Sequence, residues 1–213
     1  CQALTAFGAL LTLDPKMPKR SRTSGSGRRP PKAQAKAKAI AKNPFAALLT
    51  AVRRDVDARL AGYLDEHLAA AKVFGPGMTE MVSALRDLTL RGGKRARAAL
   101  LVAGYRAANA EASLEPALDA GVSLELLHSY FLVHDDWMDR DETRRGGPSV
   151  HAALTRRLKS REKGEASAIL AGDYAVALAT EALSRVEVEP KRMSRVLGCF
   201  AEMQLAAVTG QQL

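Results

Sequence analysis

The stretch from Pro116 to Val133 limits the fold more than any other part of the chain. Leu118, Val122, Leu124, Leu126, Leu127, Tyr130, Phe131, Leu132 and Val133 leave it apolar on nearly every side. An amphipathic helix can lie on a surface, but one that is apolar all round has to be enclosed by other helices. The flanking sequence supplies them. Asn43 and Pro44 suit a helix cap and first turn, and Phe45, Leu48, Leu49, Val52, Val56, Leu60 and Leu64 follow at helical spacing to about Phe74. Gly75, Pro76 and Gly77 break that helix; a second runs from about Thr79 to Thr89, and Gly92 and Gly93 open a third that reaches about Ala108. Further helices fit Ser149 to Lys159, Ala166 to Ser184 and Lys191 to the end, with no strand pattern and no solenoid repeat. The expected fold class is all-α.

The central helix ends in HDDWMDRDETRRGG, His134 to Gly147, which places five acids ahead of the Arg144, Arg145 pair. Carboxylates about 4 Å apart repel by roughly 4 kcal/mol at an effective dielectric of 20. Cations must offset that repulsion. Magnesium prefers oxygen ligands, keeps several waters and sits between one or two carboxylates and substrate phosphates, while arginine forks grip phosphate oxygens in pairs. Residues seven and eleven apart return to within about 20° on a helix, so His128, Asp135 and Asp139 share one face, with His128 about 10 Å below Asp135. Asp136 is rotated from them by about 100° and is the weaker candidate ligand.

A second basic segment, RGGKRAR (Arg91 to Arg97), is read as leading into a helix whose first turn carries Lys94, Arg95 and Arg97. Cations ordinarily favour helix C-termini and anions N-termini. Bases at one helix start and acids at another helix end make sense together if a diphosphate completes the first and magnesium the second.

Composition separates this body from its leader. The chain has 32 Lys and Arg against 23 Asp and Glu, a net charge of +9. Ten of those bases and Asp14 lie in residues 1–42, which leaves 22 bases and 22 acids in residues 43–213. The body is neutral, so no nucleic acid is expected on it, and any such binding belongs to the tail. Residues 18–42 are rich in Lys, Arg, Pro, Gly and Ser and are expected to be disordered, and 1–16 to be upstream sequence without a role. The thirteen apolar residues at the start lack the flanks of a secretory signal and are too short to span a bilayer, so no transmembrane segment is expected. Two cysteines, Cys1 and Cys199, make no disulfide framework and fit a cytoplasmic protein.

GGKRAR (Gly92 to Arg97), ELLHSYFLVHDDWMD (Glu125 to Asp139), RRGGPSVH (Arg144 to His151), LAGDYAVALA (Leu170 to Ala179) and the closing TGQ (Thr209 to Gln211) occur in that order. Together they resemble the trans-isoprenyl diphosphate synthases, or polyprenyl synthases, which include farnesyl and geranylgeranyl diphosphate synthases. The resemblance covers about residues 44–213. It implies an isoprenoid synthase type helical bundle around a central cavity and a magnesium-dependent prenyltransferase of isoprenoid biosynthesis, which condenses isopentenyl diphosphate head to tail with an allylic diphosphate. It implies that Lys94, Arg97, His128 and Arg145 bind isopentenyl diphosphate, that Arg144 binds the allylic diphosphate and that Asp135 and Asp139, with Asp136 beside them, ligate magnesium. Tyr130 and Phe131 fall where the family sets chain length, and their bulk implies a short product, farnesyl or geranylgeranyl. The resemblance also implies a homodimer.

The family's second aspartate-rich motif is not reached by Leu213. Residues 43–213 are therefore expected to be the N-terminal part of a single synthase domain, truncated before its C-terminal helices and inactive alone. The competing readings are a terpene cyclase, against which Lys94, Arg97 and His128 speak; a non-catalytic partner subunit, disfavoured by the intact first motif; and nucleic-acid binding by the basic tail. Of the remaining residues, Gly172 and Asp173 match a family pattern that packing would explain equally well. His67 is expected at the surface, His151 beside the RRGGPS loop, and Gln211 facing the cavity.

Overall fold

A computed structural model describes residues 44–213; the leader, the opening apolar stretch and Asn43 lie outside the described residues. Among the described residues seven α-helices follow in order: α1 Pro44–Ala71, α2 Pro76–Leu90, α3 Ala96–Ala108, α4 Glu115–Met138, α5 Val150–Leu158, α6 Arg161–Ser184 and α7 Pro190–Gln212. A 3-10 turn, Lys72–Phe74, closes α1 ahead of the Gly75, Pro76 break. Pro76, Pro116 and Pro190 each stand in a helix's first turn, where the missing N–H breaks no bond.

As its composition demands, α4 is enclosed, running beside α1, α2, α3, α5 and α6. Leu118, Val122, Leu124, Leu126, Leu127 and Val133 join one core with Val52, Val56, Leu60 and Leu64 of α1, Leu85 and Leu88 of α2, and Leu178 and Leu183 of α6. Fully burying one such leucine contributes about 1.5–3 kcal/mol, so this seam dominates the helix placement. The helix α6 has an apolar window long enough to cross a membrane, but 44% of that window is buried in the bundle. Its Ala168, Ala171, Ala175 and Ala179 are fully buried, so it serves here as a core helix, with small residues that allow close packing on α4.

Three expectations change. Two short strands exist, β1 Thr143–Arg144 and β2 Gly147–Pro148, paired antiparallel with Arg144 opposite Gly147. Their two-residue loop, Arg145 and Gly146, has φ of 54° and 74°, and positive φ at both positions marks the tight hairpin turn that follows strand twist. Next, α3 begins at Ala96, so Lys94 precedes it and Arg95 is its N-cap. Finally, His67 has a side chain only 18% exposed, set between the rings of Tyr63 and Tyr174.

Candidate active site

The acidic cluster closes α4. Asp135 and Asp136 sit in its last turn, and Asp139 is its C-cap, with a backbone N–H that donates to the Asp135 carbonyl at 2.8 Å. No base occupies that last turn, so the negative end of the helix dipole adds to the carboxylates. Asp135 is partly buried, its Oδ1 accepting from Gln211 Nε2 at 2.9 Å; Asp139 is exposed. Among the described residues no group of three or more His, Cys, Asp or Glu converges as a metal cage. Two carboxylates one turn apart do fit magnesium, which completes its shell with waters and substrate phosphates.

Asp136 is turned away from this pair. It is fully buried, and its Oδ1 accepts from Arg144 Nε at 2.6 Å and also contacts the same guanidinium's NH2. Burial raises the Asp136 carboxyl above the ordinary carboxylate range, while Arg144 pulls it back. Its Oδ2 is buried without a hydrogen-bond partner. Arg144 also lies 3.7 Å from Asp135 and 3.3 Å from Asp141. Three carboxylates thus hold Arg144 in this structure.

The two basic segments are stapled to each other. Arg91 NH1 donates to the Arg144 carbonyl at 2.9 Å and the Pro148 carbonyl at 2.8 Å, and Arg145 NH1 donates to the Gly92 carbonyl at 2.5 Å. Gly147 leaves room at this crossing, because a Cβ there would lie 2.6 Å from the Arg91 guanidinium carbon and push that side chain aside. Lys94 and Arg97 are exposed and have no acid partner among the described residues. Arg95, by contrast, is buried, and the expected crowd of bases at the start of α3 is partly neutralised by its ion pairs with Asp57 and Glu125.

His128 lies at the centre of this positive region. Burial first, and then Arg97, Arg145, Arg95 and Arg144, push its imidazole down to about 3, so it is neutral at physiological pH. Burial and the neighbouring arginines also lower the Arg145 guanidinium. Arg95 and Arg144 are already paired with carboxylates, so the charge left to attract an anion beside this ring is that of Arg97 and Arg145.

Next to this region opens a cavity of about 970 Å³ between α4, α6 and α7. Its polar lining includes Arg97, His128, His134, Asp135, Glu202, Gln211 and Gln212, and Leu124, Leu127, Tyr130, Phe131, Met203 and Val208 are among its apolar walls. The rings of Tyr130 and Phe131 lie 4.8 Å apart, and Tyr130 meets His134 edge-on at 4.8 Å. His134 Nε2 is 3.1 Å from the Ile169 carbonyl, which only accepts, so the ring donates there. A Cβ on Gly172 would stand 2.5 Å from His134 Cδ2; the glycine is what lets the ring lie against α6. His134 and Gly172 had no place in the sequence reading of the cavity, and their contact carries no periodic signal. The structure thus gathers Arg97, His128, Tyr130, Phe131, Asp135 and Gln211 around one space. It leaves Lys94, Asp139, Arg144 and Arg145 outside that lining.

The family model described as polyprenyl synthetase matches residues 78–213. A geranylgeranyl diphosphate synthase of Methanosarcina mazei is 40% identical over 134 residues, 63% of this chain and 38% of the relative. A (2E,6E)-farnesyl diphosphate synthase of Mycobacterium tuberculosis is 33% identical over 153 residues, 72% of this chain and 38% of the relative. A solved geranylgeranyl pyrophosphate synthase from Corynebacterium glutamicum, complexed with isoprenyl diphosphate and magnesium, superposes with a TM-score of 0.67 at 31% identity, over 76% of this chain and 48% of that one. The chain spans less than half the length of each of these proteins.

Proposed function

The chain belongs to the polyprenyl synthetase family, and from that premise we propose that the whole protein is a short-chain prenyl diphosphate synthase of isoprenoid biosynthesis. It condenses isopentenyl diphosphate with an allylic diphosphate to a farnesyl or geranylgeranyl product. The observation that carries this reading is Arg97 and His128 at one side of an apolar cavity with Tyr130 and Phe131 in its wall. Such a space suits a ligand with a polyanionic head and a hydrocarbon tail.

In this reading Lys94, Arg97, Arg145 and His128 hold the diphosphate of isopentenyl diphosphate, with His128 donating as an uncharged imidazole. Asp135 and Asp139 would hold magnesium against the allylic diphosphate, and Arg144, fixed by Asp136, would flank it. The bound ion supplies neutralisation of charge growing on the departing diphosphate. The allylic carbon–oxygen bond breaks, the alkene of isopentenyl diphosphate forms the new carbon–carbon bond, and loss of one proton restores a double bond. No protein nucleophile takes part, so the side chains serve to bind, orient and exclude water. Phe131 lies one turn deeper than Asp135 and limits how far a growing tail extends. Residues 43–213 form part of one synthase domain, in a protein that works as a cytoplasmic homodimer.

Incubating the full-length protein with labelled isopentenyl diphosphate, an allylic diphosphate and magnesium tests this. C15 or C20 prenyl diphosphate that disappears with chelator is the expected product. Hydrocarbon or cyclic alcohol without consumption of isopentenyl diphosphate would instead identify a cyclase, and no turnover at all would point to a partner subunit.

A further inference from the structure

Among the bases of the RGGKRAR segment, Arg95 is the buried one, at 2% exposure, and it holds a left-handed backbone at φ 49° that a non-glycine residue rarely adopts. Its guanidinium spends all three nitrogens on different partners. Nε donates to Asp57 Oδ1 at 2.7 Å, NH1 to Glu125 Oε2 at 2.9 Å and NH2 to the Thr89 carbonyl at 2.8 Å. These partners lie on α1, α4 and α2, so one side chain ties the start of α3 to three other helices.

Stability alone does not account for this choice, since apolar residues of similar volume commonly replace a buried ion pair without loss. Placement does. Arg95 sits between Lys94 and Arg97 in the chain, and Glu125 lies one turn before His128 on α4. The same turn is tied a second time: Thr89 Oγ1 donates to Ser129 Oγ at 3.0 Å, and Ser129 Oγ donates to the Glu125 carbonyl at 3.0 Å. The Arg95 to Glu125 contact therefore sets the basic segment against the helix that carries His128.

We propose that Arg95 is a positioning residue for isopentenyl diphosphate. Clamped on Glu125, Asp57 and the Thr89 carbonyl, its guanidinium holds Lys94, Arg97 and His128 in register around one diphosphate. The inference rests on the prenyl synthase reading and extends it to a side chain that touches no substrate. A lysine keeps the charge but lacks the fork that serves three directions at once.

The test is steady-state kinetics on full-length Arg95→Lys, with Lys94→Gln and the double variant beside it. Arg95→Lys is expected to raise KM for isopentenyl diphosphate about tenfold and to leave KM for the allylic diphosphate within about twofold, since small misplacement at a binding cradle is costly. If Arg95 acts in part through Lys94, the double variant is less impaired than the product of the two single effects. Glu125→Gln, which keeps the hydrogen bond while removing the countercharge, is expected to move the same KM in the same direction by less. Equal rises in both KM values, multiplicative effects in the double variant, or a lowered urea midpoint with both KM values unchanged would each overturn the inference. A wild-type protein that consumes no isopentenyl diphosphate would overturn the functional reading itself, and this assignment with it.

Discussion

Replacing Gly172 by alanine isolates one contact between α4 and α6. The new methyl would meet the His134 ring, 2.5 Å from Cδ2 and closer still to Nε2, inside any permitted approach. The ring must leave, and with it goes the bond to the Ile169 carbonyl. Overpacking a filled core costs about 1–3 kcal/mol. Losing a neutral hydrogen bond adds about 0.5–1.5 kcal/mol. Against these, alanine gains about 0.8–1.0 kcal/mol of helix propensity over glycine. The balance is a destabilisation of about 1–3 kcal/mol, read as a lower urea midpoint at unchanged slope. Gly62 is the control, because nothing lies within 4 Å of a Cβ there in α1; its alanine variant should gain about 0.5–1 kcal/mol. Adding His134→Ala to Gly172→Ala removes the obstacle, so the two changes should be strongly non-additive. A Gly172→Ala protein as stable as wild type, with Gly62→Ala also neutral, would refute the reasoning.

Other tests follow from the site. His128 is held at about 3 in the fold against an ordinary 6.5, so the unfolded chain binds the extra proton. Its contribution to stability is present above pH 6.5 and is lost as pH falls from there toward 3, and His128→Gln should flatten that acid limb in urea titrations. A diphosphate analogue bound among the arginines should raise the His128 value, visible in imidazole NMR shifts; an unmoved titration would show that the anion binds elsewhere. Arg144→Met leaves the buried Asp136 carboxylate without its cation and should cost about 3 kcal/mol in urea unfolding, with Asp136→Asn, Arg144→Met milder than the single change. Phe131→Ala should lengthen the products in chromatography of the reaction mixture, and unchanged chain length would remove Phe131 from the floor.

The helices were legible because their signals are local. Apolar residues around the whole of Pro116 to Val133 required a central rod, and the Gly75, Pro76, Gly77 break ended α1 within a turn of the expected place. That His128 and Asp135 line one cavity follows for the same reason, since residues seven apart on a helix share a face. The contacts that organise the site's charges were not legible. Asp136 meeting Arg144 depends on a turn at Arg140 and a hairpin at Arg145, both at positive φ in arginines rather than in the glycine or asparagine that usually announce such turns. Arg95 looked like its neighbours in composition; only the arrival of Asp57 and Glu125 from distant helices distinguishes it. The contact between Gly172 and His134 depends on how closely two helices approach, which no pattern within either one encodes.

The reciprocal arginine staples have a mechanical meaning. Because Arg91 grips the hairpin's carbonyls while Arg145 grips the carbonyl of Gly92, two loops more than fifty residues apart in the chain behave as one rigid jaw. The spacing of the two basic loops is then gauged by main chain rather than by the swing of long side chains. Transplanting either loop into a relative without its counterpart should carry over the charge and lose the calibration.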